Sequence, residues 1–203
     1  MSDLQKRAVC LYAYPAEEGS SERRIQESVE HYCRTFGMRY DAQTYRIART
    51  NKGKPFFAGT QEVFVSLSHS GDHCIVAIAP CQVGVDLQSH DRFPNETEAD
   101  ALQRYLRLSK RFFHPAEHAY VVSQPQERFF VVWTAKESYV KYTGAGLDDD
   151  FWTYSVLPDA PFPVDGWSAQ QVYFQMIPFL PQYSLCLCTQ MPLSYVYGKI
   201  SGT

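Results

Sequence analysis

Apolar residues recur along this chain with two different spacings, and the spacing switches at identifiable points. Residues 7–14, RAVCLYAY, form a short apolar run of strand length. From Ser20 the period lengthens: in SSERRIQESVEHYCRTF, Ile25, Val29, Tyr32, Cys33 and Phe36 fall on one helical face. Ser20 or Ser21 supplies an N-cap and Gly37 a stop, so a helix is predicted between them. Four strand-like pieces follow: YRIART, KPFFAG, VFVSLSH and CIVAIAP. They are separated by Asn51-Lys52-Gly53, Gly59-Thr60 and Gly71-Asp72, which are turn residues.

At Gln82 the pattern starts again. QVGVDLQ reads as a strand and residues 99–113 as an amphipathic helix, and Pro115 opens a further helix at its favoured first position. Residues 127–143, ERFFVVWTAKESYVKYT, predict a long helix ended by Gly144; FWTYSVL, QVYFQMI and YSLCLCT then predict strands. Each half thus carries a strand, helical material and a run of strands. The class is α+β, with a seam near residue 80 dividing 1–80 from 81–203.

Composition narrows the function classes. The chain has 203 residues, 45% hydrophobic and 20% charged, which is a globular balance. Its net charge of -3 argues against a general nucleic-acid binder. The N-terminal apolar run meets Pro15, Glu17 and Glu18 before an export signal could form. The longest uncharged stretch, between Asp165 and Lys199, is broken by Pro178, Pro181 and Pro192 and predicts no membrane span. Six cysteines show no framework spacing, and Cys186 and Cys188 alternate toward one face of a strand as small apolar groups. A reduced, cytoplasmic protein is expected.

Candidate chemistry sits at four places. In VGVDLQ, Asp86 and Gln88 share a face opposite Val83, Val85 and Leu87. That face is either the polar outside of a half-exposed strand or a hard-cation site built from a carboxylate and an amide oxygen. On the 127–143 helix, Trp133, Glu137, Val140 or Lys141, and Gly144 fall along one stripe, and Glu137 and Lys141 make an i, i+4 pair that also suits a plain surface. His69 lies in SLSHSGDH at a strand end, where capping is as natural as catalysis. The turn NKGKP carries two lysines able to cradle phosphate or simply to be solvated. A zinc site at His114 and His118 has no third ligand, and Pro115 sets His114 ahead of the helix. The run Asp148-Asp149-Asp150 directly follows the motif helix and is read as ending it rather than as binding metal.

In order, G-K-P, S-H-S, G-V-D and W-T-A-K-E-S-Y-V-K-Y-T-G-A-G-L resemble the larger, Sfp-like class of 4′-phosphopantetheinyl transferases, over about Arg46 to Leu147. The resemblance implies a fold of two similar α/β subdomains in a pseudo-twofold arrangement with coenzyme A between them. It implies Mg²⁺-dependent transfer of 4′-phosphopantetheine from coenzyme A to a serine of an apo acyl or peptidyl carrier protein, releasing 3′,5′-ADP. By that match Asp86, Gln88 and Glu137 are the metal set, with Gln88 standing where many relatives carry an acid. Glu137 and Lys141 are the catalytic pair, as base and as partner of the leaving phosphate. Lys54, Pro55, Ser68, His69 and Lys141 grip coenzyme A, as does Arg23 or Arg24. Trp133 and Lys136 support the active helix. Relatives carry a further basic helical stretch before the first helix, which is trimmed here. A basic helix face of Arg104, Arg107 and Arg111, beside Phe112 and Phe113, is either solvated or a docking surface for the carrier. The alternative is a non-catalytic relative that binds coenzyme A or a nucleotide. A monomer is expected, with no nucleic-acid or membrane partner.

Overall fold

A computed structural model describes residues 8–17, 19–146, 149–159 and 166–198. The first half opens with strand β1 (Val9–Pro15), followed by helix α1 (Ser21–Thr35), whose Ser20 side chain accepts from the Arg23 amide as N-cap. Strands β2 (Ile47–Arg49) and β3 (Pro55–Phe57) make a small hairpin, and β4 (Phe64–Ser70) and β5 (His73–Ala79) a longer one. The second half runs β6 (Val83–Ser89), α2 (Glu98–Phe112), α3 (Pro115–Ser123) and α4 (Pro125–Thr143). After a 3-10 turn at Asp149–Trp152 come β7 (Trp167–Ala169), β8 (Val172–Met176), β9 (Tyr183–Thr189) and β10 (Tyr195–Tyr197).

Two four-stranded sheets result, in the orders β10-β1-β5-β4 and β6-β9-β8-β7. They pack face to face over a shared core of Val9, Leu11, Ile75 and Ala77 against Val83, Val85, Leu87, Leu185 and Leu187. Helix α1 covers the outer face of the first sheet through Ile25, Val29, Tyr32 and Cys33. Helices α2, α3 and α4 cover the outer face of the second, where Cys186 and Cys188 are fully buried. All six cysteines are unpaired. No helix of the described residues is long and apolar enough to cross a membrane.

Strand β6 is tied to β4 by side chains instead of a backbone ladder. The amides of Val85, Leu87 and Ser89 donate to the hydroxyls of Ser66, Ser68 and Ser70, at 3.0, 3.0 and 2.9 Å. Alternate positions of β4 thus present one oxygen to alternate amides of β6, which satisfies an edge that would otherwise be bare.

Several expectations change. Strand β6 is not half-exposed: α4 covers its second face so closely that a Cβ on Gly84 would lie 2.0 Å from the Ser138 carbonyl oxygen and 2.4 Å from the Tyr142 amide. FWTYSVL is not a strand, because side chains take its backbone groups. Lys136 Nζ donates to the Tyr154 carbonyl, the Val156 amide donates to Glu117, and Trp167 Nε1 donates to the Val156 carbonyl. The short strands β7 and β10 carry too little pattern to be read from sequence, and β10 pairs in parallel with β1, so a cut at residue 80 does not separate the two sheets cleanly. Helix α2 begins one residue early, on a capping box of Thr97 and Asp100. Gly144, in the left-handed region at φ 74°, does end α4. Leu147 and Asp148 lie outside the described residues.

Candidate active site

A cleft of about 460 Å³ opens where the β2–β3 turn, β4, β6 and α4 meet. Its lining includes Lys54, Pro55, Ser68, His69, Asp86, Gln88, Glu137 and Lys141, eight of the ten residues singled out from sequence. The elements explain the convergence. Alternation on β6 sends Asp86 and Gln88 away from the core shared by the sheets and toward α4. Helical spacing on α4 stacks Trp133, Glu137, Lys141 and Gly144 along the stripe that faces them.

Asp86 is buried, with 4% of its surface exposed. Its Oδ1 accepts from Lys141 Nζ at 2.6 Å and from Ser68 Oγ at 2.9 Å, and Lys141 Nζ also reaches Ser68 Oγ at 2.7 Å. Burial pushes the Asp86 carboxyl above its ordinary range, against the pull of Lys141 and Ser68. Its second oxygen, Oδ2, is buried with no hydrogen-bond partner. Glu137 is pushed up to about 7, first by burial and then by the negative charge of Asp86, with Lys141 opposing. Two carboxylates therefore face one polar space, held apart in protonation by their own repulsion.

Among the described residues no group of three or more His, Cys, Asp or Glu side chains is gathered to hold a metal. Among the described residues the cleft is lined by the carboxylates of Asp86 and Glu137 and the Gln88 amide, with the Ser66 and Ser68 hydroxyls beside them. That set nevertheless fits a hard divalent cation such as Mg²⁺, which takes one or two carboxylates and leaves its other positions to water and phosphate oxygens. The partnerless Oδ2 of Asp86 and the raised carboxyl of Glu137 are what a site short of positive charge produces.

Lys54 is deployed differently from its neighbours. Its ammonium donates to the carbonyls of Tyr142 at 2.8 Å and Val83 at 3.3 Å, clamping the C-terminal turn of α4 to the start of β6. Burial lowers its pKa to about 8. Arg23 and Arg24 are not in the cleft. The Arg24 guanidinium is 6% exposed and donates to the carbonyls of Pro15 and Ala16, while Arg23 pairs with Glu27 at 2.7 Å on the outside of α1. Helix phase turns Arg23 outward and tucks Arg24 under α1 toward the end of β1.

The buried support for α4 is an ion pair. Lys136 and Glu117, both fully buried, lie 2.9 Å apart, and Glu117 also accepts from the amides of His114 and Val156. That network pins α3, α4 and the segment after the 3-10 turn together. Trp133 lines the cleft and packs against Phe113, Phe129 and Phe151. His114 caps α3, and His118 Nδ1 bonds Ser109 Oγ at 2.9 Å, so neither is arranged as a zinc ligand. The basic face of α2 is shorter than expected. Arg104 is bound through two nitrogens to Glu96, at 2.8 and 2.9 Å, and stacks on Phe93, leaving Arg107 and Arg111 exposed.

Sequence reasoning missed Arg49 and Ser66, which also line the cleft beside Lys52 of the NKGKP turn. The signal was the turn chemistry around Gly53, which closes a hairpin and brings positions 49 and 52 to one rim.

A sequence profile of the 4′-phosphopantetheinyl transferase superfamily matches residues 82–192, more than half of the chain. The 4′-phosphopantetheinyl transferase psf-1 of Bacillus pumilus is 29% identical over 165 residues, which cover 73% of this chain and 62% of that protein. The 4′-phosphopantetheinyl transferase Sfp of Bacillus subtilis is 24% identical over 167 residues, covering 75% of this chain and 66% of that one. The transferase HetI of Nostoc is 36% identical over 106 residues, 48% and 40% of the two chains. The chain spans two thirds or less of the length of each of these relatives.

Proposed function

The chain belongs to the 4′-phosphopantetheinyl transferase superfamily, and on that premise we propose that it moves the phosphopantetheine arm of coenzyme A onto a serine of an apo acyl or peptidyl carrier protein, with Mg²⁺ required and 3′,5′-ADP released. The observation that carries this reading is the pairing, in one cleft, of a buried carboxylate that has a bare oxygen with a second carboxylate raised to about 7.

The obstacle to such a transfer is the charge of the pyrophosphate, which repels the incoming alkoxide and burdens the leaving group. Asp86 and Glu137, with the Gln88 amide, would hold the cation, and that cation supplies charge neutralisation on the two phosphates when bound. Lys141 stands beside Asp86, where its ammonium can compensate charge on the departing phosphate. Glu137, with a carboxyl near 7, is suited to take the serine proton at neutral pH. Ser68 and His69 line the wall opposite α4 and are the proposed phosphate contacts, with Pro55 beside the nucleotide; Lys54 acts by fixing the α4 terminus.

The fold supports a pseudo-twofold reading of the two halves. Each has a strand, then a covering helix, then a hairpin whose last strand lies beside the first: β1, α1, β4 and β5 in one, β6, α4, β8 and β9 in the other. Because one chain supplies both walls of the cleft, the reading includes a monomer. Six unpaired cysteines favour a reducing, cytoplasmic setting. The exposed Arg107 and Arg111 are the proposed contacts for an acidic carrier.

The test is intact-mass measurement of candidate apo carriers incubated with the protein, coenzyme A and Mg²⁺. A gain of one phosphopantetheine, absent with Glu137→Ala, is the expected result. Coenzyme A binding with no transfer to any carrier would favour the non-catalytic alternative.

A further inference from the structure

The C-terminal turn of α4 stands between two open spaces. Gly144 lines the cleft on one side, and Thr143 and Gly144 line a second cavity of about 700 Å³ on the other. Neither space packs against this end of the helix, whose last carbonyls have no helical amide to accept from. The Tyr142 carbonyl is taken instead by two side chains from outside the helix, Lys54 Nζ at 2.8 Å and Gln82 Nε2 at 2.6 Å. A carbonyl oxygen has two lone pairs, and the two donors fill both. Gln82 directly precedes β6, and alternation puts it on the same face as Gly84, Asp86 and Gln88. Along that face Gln82 holds the end of α4, Gly84 lets the helix backbone approach, and Asp86 receives Lys141.

Lys141 immediately precedes Tyr142, and Glu137 lies one turn further back, so a shift of the last turn moves Lys141 against Asp86 first. Resting on the transfer reading above, we infer that Gln82 is a positioning residue for the reaction: its amide fixes the last turn of α4 and thereby sets where the Lys141 ammonium stands. The proposed coenzyme A contacts Pro55, Ser68 and His69 are carried by β3 and β4, not by α4. Displacing Lys141 therefore lowers kcat and leaves KM for coenzyme A nearly as it was. The two donors to Tyr142 are not equivalent. Burial lowers Lys54 to about 8, so its ammonium is lost as pH rises through that value, and a neutral amine makes the weaker bond. The titratable groups around it are Lys52 on its own turn, Glu137 and Lys141 on α4, and on β9 the Cys188 thiol, which burial keeps protonated. Gln82 carries no charge and holds the carbonyl at every pH.

Gln82→Met removes the donor and keeps the length of the side chain. In carrier loading followed by intact mass, it is expected to lose about tenfold in kcat at about pH 7, with KM for coenzyme A within about twofold. The shortfall against wild type should widen by roughly a further threefold at about pH 9, where the Lys54 ammonium no longer compensates. Glu137 titrates in both proteins and cancels from that ratio. Gln82→Glu keeps the shape but sets an oxygen against the Tyr142 carbonyl, and should lose more than Gln82→Met. Independently of turnover, hydrogen exchange at the Gly144 amide, bonded to the Val140 carbonyl at 2.8 Å, should quicken in Gln82→Met. An acceleration of about fivefold is expected there, as the loss of one hydrogen bond gives. A loss in KM alone, a ratio to wild type that does not change with pH, a fully active Gln82→Glu, or unaltered exchange at Gly144 overturns the inference. A wild type that loads no carrier overturns the transfer reading, and the exchange measurement then still decides whether Gln82 holds the helix.

Discussion

Lys141 Nζ lies 2.6 Å from one oxygen of Asp86, and the other oxygen of that carboxylate is buried with no partner. The ammonium therefore neutralises one side of the group and leaves the opposite side electrostatically open. Asp86→Asn keeps the shape and removes the charge. We expect it to lower kcat/KM for carrier loading by about 100-fold or more, with Glu137→Gln similar, because each removes a proposed cation ligand. Mass-resolved loading rates decide it; a loss under about threefold for both would dissociate this pair from the chemistry.

Gln88 contributes an amide to a site that, among the described residues, holds two carboxylates. Gln88→Glu adds a third negative charge and should tighten Mg²⁺ or Mn²⁺ binding, read directly by titration without substrate, by roughly tenfold. The Mg²⁺ concentration at half-maximal turnover should fall in parallel. Unchanged metal affinity would place Gln88 outside the ligand set.

For the metal-free protein the sign of the pH effect follows from Glu137. Its carboxyl is held at about 7 in the fold against an ordinary 4.5. Between those values the folded state binds more protons than the unfolded one, so stability falls as pH rises. The contribution is fully present below about pH 4.5 and is lost as pH passes 7. Melting in chelator from about pH 5 to 8 should show a decline that Glu137→Gln flattens. Equal slopes in the two proteins would contradict the assignment.

Gly84 is where α4 approaches β6 most closely, with backbone atoms 2.0 and 2.4 Å from any added Cβ. Neither neighbour can rotate away. Gly84→Ala should cost about 3 kcal/mol or more, since α4 must lift off the sheet. Denaturant midpoints measure this; a midpoint shift worth under 1 kcal/mol would mean that the helix yields more easily than its contacts imply.

Along the serine row, Ser68→Ala should destabilise by about 1–3 kcal/mol, because it strands the buried Leu87 amide and strips a bond from Asp86. Ser70→Ala, at a half-buried position, should cost less. Chemical denaturation of the two variants side by side ranks them, and the reverse order would refute the role given to Ser68.

Much of the cleft was legible because its residues sit on regular elements. Once α4 and β6 are placed, alternation and the 3.6-residue period fix which way Asp86, Gln88, Glu137 and Lys141 point. Neither register at the start of α1 reaches the cleft: Arg24 turns under the helix to the carbonyls that end β1, and Arg23 turns outward to Glu27, partners that the helical pattern alone does not reveal. FWTYSVL alternates like a strand, yet its backbone is satisfied by Lys136, Glu117 and Trp167, partners that no local pattern reveals. The burial of Asp86 likewise depended on Gly84: a glycine in a strand marks close backbone approach, and here the approaching element is the helix that carries the second carboxylate.

The Ser68 hydroxyl accepts from Leu87 and Lys141 and donates to Asp86, which spends its whole hydrogen-bonding capacity. One oxygen atom is thus both a rivet joining the lobes and a member of the charged cluster. Drawing Asp86 or Lys141 toward an incoming ligand loads that rivet directly, so occupancy of the cleft and the spacing of its two walls are not independent variables in this molecule.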